Sequence, residues 1–356
     1  MVDMEKLHTY KNLKVIVTGS TGFKGSWLCF WLHHLKARVV GIGLKAEKEE
    51  IIFKSLNISK KIKQYYLNIN DFKKLNKVIK KEKPDIIFHL AAQAIVSVGY
   101  KNPLNTFETN LIGSVNILES VRLNKIGNLV YITSDKCYLN DGRSNAYSED
   151  DILGGEDPYS ASKAGAEIIF HSYQKSFFQN NKKIKFATGR AGNVIGGGDM
   201  KNDGIIPDII RSIKLKRKLV VRNPKSIRPW QHVLEALSGY LVLGSLLIKN
   251  KLDNSCYPSW NFGPKGLEKK TVIQLVKEFL KTWEIKKSIY LLKSKKFEES
   301  KLLILDSKKA TRELKWRPRL SFKETINLTV QWYKSYFLKK NLEKLTVSQI
   351  NYYTNK

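Results

Sequence analysis

Thr18-Gly19-Ser20-Thr21-Gly22-Phe23-Lys24-Gly25 is the stretch on which the fold turns. It follows a short apolar run, Val15-Ile16-Val17. It opens onto a segment from Gly22 to about Lys36 whose Phe23, Trp27, Phe30, Trp31 and Leu35 share a broad apolar face at helical spacing. A bare G-x-x-G-x-x-G is a weak pattern; set between a strand and a helix it becomes a variant of the dinucleotide fingerprint. Gly19 permits the tight turn, Gly22 lets the backbone approach a pyrophosphate, and Gly25 lets helix and strand pack closely. With Thr21 and Phe23 between them, these residues form the expected cofactor-binding turn, and the helix N-terminus offers free N–H groups and a positive dipole to the phosphates.

Downstream, β-rich runs alternate with amphipathic stretches. Arg38 to Ile42 reads as a second strand, and Phe72, Leu75, Val78 and Ile79 mark a lysine-coated helix that stops near Pro84. Strands are expected at Ile86 to Leu90, Leu129 to Thr133 and Lys185 to Thr188. Helices are expected from Pro103 to about Leu123 and from Pro158, where Asp157 is a fitting N-cap. This alternation predicts an α/β chain: a Rossmann doubly wound parallel sheet with a smaller α/β substrate-binding domain. Residues 1–190 are assigned to the first domain, with 229–262 returning to it. Residues 191–228 and 263–335 are assigned to the second, and 336–356 to a C-terminal tail.

The strand ending Val39-Val40-Gly41-Ile42-Gly43 carries glycine where a ribose-binding acid is expected, which leaves NAD against NADP open. Lys24 or Lys45 could meet a 2′-phosphate.

Tyr159-Ser160-Ala161-Ser162-Lys163 places a phenol and an ammonium on one helical face, and Ser134 ends a strand at the carboxyl edge where ligands bind in such sheets. A cation beside a phenol favours phenolate, so Lys163 is expected to lower the pKa of Tyr159. The phenolate could then take a proton from a sugar hydroxyl held by Ser134 as hydride leaves the same carbon.

Composition narrows the function classes. The 356 residues hold 63 Lys+Arg against 32 Asp+Glu, a net charge of +31. Only 11 of the positive residues are Arg, and the lysines are scattered in stretches such as Lys80-Lys81-Glu82-Lys83 and Lys293-Ser294-Lys295-Lys296. That distribution reads as compositional habit rather than a nucleic-acid stripe. Cys29, Cys137 and Cys256 lie far apart, so neither a disulfide framework nor a metal site is expected. With no signal peptide and no apolar run of spanning length, a cytoplasmic protein with no membrane partner is expected.

Five stretches together carry a resemblance: Thr18 to Leu28 (TGSTGFKGSWL), Thr133 to Tyr138 (TSDKCY), Leu153 to Lys163 (LGGEDPYSASK), Arg190 to Asp199 (RAGNVIGGGD) and Arg228 to Leu234 (RPWQHVL). The chain resembles the extended short-chain dehydrogenases/reductases, and within them the NAD-dependent epimerase/dehydratase family. The resemblance implies tightly held NAD and a nucleotide-sugar substrate, CDP-glucose. It further implies oxidation at C4, loss of water across C5 and C6, and return of hydride to C6. Such an elimination needs a base at C5 and an acid at the C6 hydroxyl. Asp135 is the candidate acid and Lys136 the candidate base, with the division of roles open. The resemblance also places Leu90, Ala91 and Ala92 at the cofactor, and Gln93, Arg190, Asn193 and Arg228 at the substrate. His89 and Asn110 are read as structural, and a homodimer or tetramer is implied. The alternatives are a 4,6-dehydratase on another nucleotide-hexose, a nucleotide-sugar 4-epimerase, and a non-catalytic dinucleotide-sensing protein that binds nucleic acid.

Overall fold

Residues 4–179, 181, 183–252, 258–266, 269–285, 290–292 and 302–356 are described in a computed structural model; Cys256 and the Lys293–Lys296 stretch lie outside the described residues. The strands β1 (Lys14–Thr18), β2 (Arg38–Gly43), β3 (Lys63–Tyr66), β4 (Ile86–His89), β5 (Asn128–Ile132) and β6 (Lys185–Ala191) pair in the spatial order β6-β5-β4-β1-β2-β3. Ser259–Phe262 extends the β6 edge, and every pairing in this seven-stranded sheet is parallel. Strand order reverses between β1 and β4. In an open α/β sheet this is where a crevice opens beyond the carboxyl ends of the strands.

The apolar runs explain the layers. Side chains alternate across a strand. Val15 and Val17 therefore enter a core with Trp27, Trp31 and the helix Val233–Ile248, whereas Ile16 enters a second core with Leu75, Ile79, Ile117 and Phe170. Both faces of the sheet are thus buried, as parallel sheets require. Trp27 and Trp31 are fully buried core residues, and Cys29 and Cys137 are buried free thiols.

Helix Val233–Ile248 lies against β5 and β6, so this returning segment belongs to the sheet's own layers. Around it stand short strand pairs, Val194–Ile195 with Gln231–His232 and Ile227–Arg228 with Lys270–Thr271, and the helices Ile205–Leu215, Val272–Trp283 and Phe322–Phe337. The stretch expected as a tail is mostly exposed but sends one helical face into the core. Helix Leu342–Asn355 buries Ile350 and Tyr353, and the Tyr353 hydroxyl donates to Glu235 Oε2 at 2.7 Å while its ring meets Trp31 edge-on. An apolar i, i+3 pair placed against an open core has no reason to stay in water. No helix among the described residues is long and apolar enough to cross a membrane.

Candidate active site

The glycine-rich turn sits at the strand-order reversal. Gly19 has φ +69°, and a Cβ there would stand 2.9 Å from the Ala91 backbone, so the turn after β1 and the loop after β4 touch through it. A Cβ at Gly25 would collide with the Gly19 carbonyl, whereas a Cβ at Gly22 would meet little beyond that carbonyl at 3.4 Å. The cradle is closed where chain packs on chain and open where a pyrophosphate would approach, which fits a dinucleotide. The Thr18 hydroxyl stitches the two loops together. It accepts from the Leu90 and Ala91 N–H groups at 3.2 Å each and lies 2.7 Å from His89 Nδ1. Ala92 follows, half-buried at the crevice. His89 is buried and its pKa is pushed down to about 3 by burial and by Lys163, so it is a neutral structural ring.

A physical reason also emerges for the missing acid at the end of β2. A Cβ at Gly43 would lie 3.0 Å from Thr21 Oγ1 and 3.3 Å from Ser20 Oγ, so a side chain there would press on both hydroxyls. Of the two lysines considered for a 2′-phosphate, only Lys45 lies at this end. It lines a cavity of about 460 Å³ with Phe53, Lys54, Asn57, Ser59 and Tyr66. Lys24 points the other way, toward Asp135, Lys163 and the Tyr240 ring.

Four buried side chains converge beyond β5. Ser134, in extended backbone, caps a one-turn helix, Asp135–Cys137, by accepting from the Lys136 N–H at 3.2 Å. Its hydroxyl donates to Asp135 Oδ1 at 2.8 Å and lies in hydrogen-bond range of the Tyr159 phenol. Tyr159 and Lys163 project from helix Pro158–Tyr173, which starts where it does because Asp157 Oδ1 accepts from the Tyr159 and Ser160 N–H groups and Pro158 presets the first turn. Tyr159 is 7% exposed, Lys163 6% and Asp135 4%. Lys136 is half-buried beside them. The expected cofactor and catalytic residues are therefore brought together at one crevice.

Burial sets the electrostatics. It pushes the Asp135 carboxyl up, against the opposing pull of Lys136, Ser134 and Arg228, so Asp135 holds a proton more readily than a surface aspartate. Lys163 is pushed down to about 8 by burial and by the neighbouring Lys24, itself at about 8 through burial with Asp135 opposing. The expectation that Lys163 makes the phenol acidic is not met in this geometry. Its ammonium lies 6.0 Å from the Tyr159 ring centroid, and burial drives the phenol up more than the Ser134 hydrogen bond draws it down. A cation at that range does not offset desolvation of a phenolate.

One of the expected substrate contacts is corrected. Arg190 is 1% exposed, and every guanidinium N–H finds an acceptor inside the protein. Nε and Nη2 pair with the two Glu167 oxygens at 2.9 Å each, Nη1 donates to the Tyr138 hydroxyl at 2.7 Å and the Glu149 carbonyl at 3.3 Å, and Nη2 also reaches Ser259 at 3.2 Å. It has nothing left for a phosphate. Gln93 is oriented by its own loop: its carboxamide donates one N–H to Thr106 at 2.9 Å and accepts from the Ile95 N–H at 2.6 Å. Asn110 completes that frame, accepting from the Gln93 N–H and donating to Gln93 O and Ser162. Asn193 is half-buried in the turn after β6, where its carbonyl accepts from the Gln231 N–H. Arg228 is brought close enough to act on the Asp135 carboxyl.

Sequence reasoning missed Glu167 and Gly192. Glu167 interrupts an apolar helical run, a signal that its charge has a buried partner. Gly192 lies so near Asp135 that any Cβ would collide with the carboxylate.

A family model described as GDP-mannose 4,6 dehydratase matches residues 16–329. The chain is 41% identical to a CDP-glucose 4,6-dehydratase of Salmonella typhimurium over 334 residues, 92% of each chain. Its fold is similar to that of a dTDP-glucose 4,6-dehydratase from Streptomyces venezuelae solved with NAD bound (TM-score 0.79, 20% identity, 93% of this chain and 100% of that one). It is also similar to that of a UDP-glucose 4-epimerase from Thermotoga maritima solved with UDP-glucose (TM-score 0.78, 22% identity, 91% and 100%). On the extent of that family match and the 41% identity, the chain belongs to the GDP-mannose 4,6-dehydratase family of extended short-chain dehydrogenases/reductases.

Proposed function

We propose that this protein is an NAD-dependent CDP-glucose 4,6-dehydratase, yielding CDP-4-keto-6-deoxyglucose and water. The observation that carries the reading is the pairing of two acid–base sets in one crevice: Tyr159 with Lys163, and Asp135 with Lys136, joined through Ser134. A 4-epimerase needs the first set alone. The 41% identity to a CDP-glucose enzyme supports the nucleotide, and the NAD found in the similar Streptomyces structure supports the cofactor.

NAD, held by the Gly19–Gly25 turn and the Leu90–Ala92 loop, would supply reversible hydride acceptance, while Lys163 and Lys24 are the charges near Tyr159 that favour phenolate. Ser134 orients the C4 hydroxyl, and Tyr159 takes its proton as that carbon is oxidised. The resulting ketone acidifies the C5 proton. Lys136 is assigned to take that proton, while Asp135, whose carboxyl burial inclines toward holding a proton, gives one to the C6 hydroxyl, which leaves as water. The C5–C6 alkene then accepts hydride at C6 and a proton at C5, so the sequence is redox-neutral overall. Arg228 and Asn193 are assigned to the nucleotide diphosphate, where a charge-assisted bond from Arg is strong.

We assign the chain to the cytoplasm as a dimer. Leu104 (68% exposed) and Ile112 (53%) on helical segments 103–112, with Ile168 (58%) on the neighbouring helix Pro158–Tyr173, supply an apolar face for a second copy.

The test of the elimination roles is the double variant Asp135→Asn with Lys136→Ala. Product formation from CDP-glucose is expected to fall by about 10²-fold or more. Reduced nicotinamide should accumulate in a single turnover, because oxidation at C4 no longer leads on. Turnover within tenfold of wild type contradicts the assignment.

A further inference from the structure

Residues 196–203 run across the mouth of the cofactor crevice, and none of the fingerprint residues accounts for them. The segment leaves the strand pair beside Gly196, where a Cβ would stand 3.2 Å from Phe23 of the glycine-rich turn. The Gly197 carbonyl then accepts from Trp27 Nε1 at 2.9 Å. Gly198 takes φ +92°, and a Cβ there would press on Ile52, just past β2. Lys201 Nζ pairs with Glu50 Oε1 at 3.2 Å and lies 4.0 Å from where a Cβ on residue 22 would stand. Asp203 Oδ2 accepts from the Ser97 hydroxyl at 2.5 Å, beyond the end of β4. The segment therefore touches the loops following β1, β2 and β4 in turn. On its outer side it is anchored in the smaller lobe: the Tyr333 hydroxyl donates to the Asp199 carbonyl, Arg211 Nη1 donates to the Met200 carbonyl at 2.9 Å, and Arg222 pairs with Asp203 at 3.3 Å.

We propose that residues 199–203 form a strap that closes the dinucleotide into its crevice, with Lys201 as the cation over the diphosphate and Ser97–Asp203 as the latch on the far side. The inference rests on the NAD reading of the Gly19–Gly25 turn. Gly22 is the one glycine of that turn whose Cβ side is open, and among the described residues the only side chain within 4 Å of where a Cβ would stand is that of Lys201. An ammonium placed there neutralises an anion that the backbone N–H groups alone only solvate. Its pair with Glu50, a carboxylate 12% exposed, fixes the side chain over the turn rather than leaving it in solvent. Because the strap is tied on one side to the sheet and on the other to the smaller lobe, cofactor exit requires both the Lys201–Glu50 pair and the Ser97–Asp203 bond to open.

The test is the rate at which NAD leaves purified holoenzyme, read as nucleotide remaining in the protein fraction after timed gel filtration. Lys201→Ala is expected to release NAD about tenfold faster or more, the scale of one lost charge-assisted hydrogen bond. Lys201→Arg should stay near wild type, and Ser97→Ala should speed release several-fold. Added salt should accelerate release from wild type more than from Lys201→Ala, since the attraction being screened is gone from the variant. Lys201 is 38% exposed, so its replacement leaves the core untouched and refolding does not cloud the reading. Release from Lys201→Ala within twofold of wild type overturns the strap while leaving the NAD reading intact. A wild-type protein that takes up no NAD overturns both.

Discussion

Tyr159→Phe lowers kcat on CDP-glucose by about 10² to 10⁴-fold, the range that a positioned proton acceptor contributes. Folding and NAD content stay as in wild type. The phenol's described hydrogen-bond partner is Ser134, which keeps its bond to Asp135, and the phenylalanine ring fills the same buried volume. The same reasoning sets the pH profile. Lys163 titrates at about 8, where burial and Lys24 have pushed it. Below that value it is an ammonium and favours the phenolate that Tyr159 must become; above it the amine is neutral and that help is gone. Activity in kcat/KM should therefore fall on the alkaline side of about pH 8; Lys163→Ala should weaken this limb, and because Lys24 titrates in the same range, Lys24→Ala with Lys163→Ala should remove it. More than a tenth of wild-type kcat in Tyr159→Phe contradicts the role given to the phenol.

Glu167→Gln is expected to cost about 3–5 kcal/mol of stability, because it strands a buried guanidinium without its anion. The pair is 1% and 0% exposed, and Glu167 also receives hydrogen bonds from Thr133 and Thr188. Burial works to raise the Glu167 carboxyl, yet Arg190 and Thr133 outweigh it and hold the group below the ordinary carboxylate range. For a chain of this length that loss lowers Tm by roughly 4–7 °C. The contrast lies with substrate affinity. Were Arg190 a diphosphate contact, its replacement would raise KM and leave Tm alone. With the pair buried, Arg190→Met together with Glu167→Leu should recover much of the stability lost in either single change, since well-packed apolar groups often replace a buried ion pair at little cost. Thermal unfolding of the two single variants and the double variant separates the two outcomes.

Much of this molecule is legible in its sequence, and the boundary of what is legible has physical causes. The Gly19–Gly25 turn, the Val15–Val17 strand and the Asp157–Pro158 helix start are local: each is decided by backbone conformation, side-chain period or a cap within a few residues. Tyr159 and Lys163 share a face because helical geometry puts them there, so their convergence with Ser134 follows from knowing which strand Ser134 ends. Arg190 was misread because its residue type is the same whether it faces a phosphate or a glutamate, and its partner Glu167 lies on another element. Lys24 carried a quieter signal. A lysine in the first turn of a helix opposes the helix dipole, a placement that calls for an anion or a function nearby. The phenol's raised proton affinity had no local signal at all, because desolvation depends on everything packed around the ring. The same holds for Lys201, whose meeting with Gly22 and Glu50 is made entirely by tertiary structure.

CDP-glucose carrying deuterium at C4 tests the intramolecular hydride route most directly. Dehydration through the Tyr159 crevice predicts CDP-4-keto-6-deoxyglucose with the deuterium at C6, without loss to solvent. A product that keeps the label at C4 in a hexose of inverted configuration, or a 4-keto-6-deoxy product with the label washed out, contradicts it.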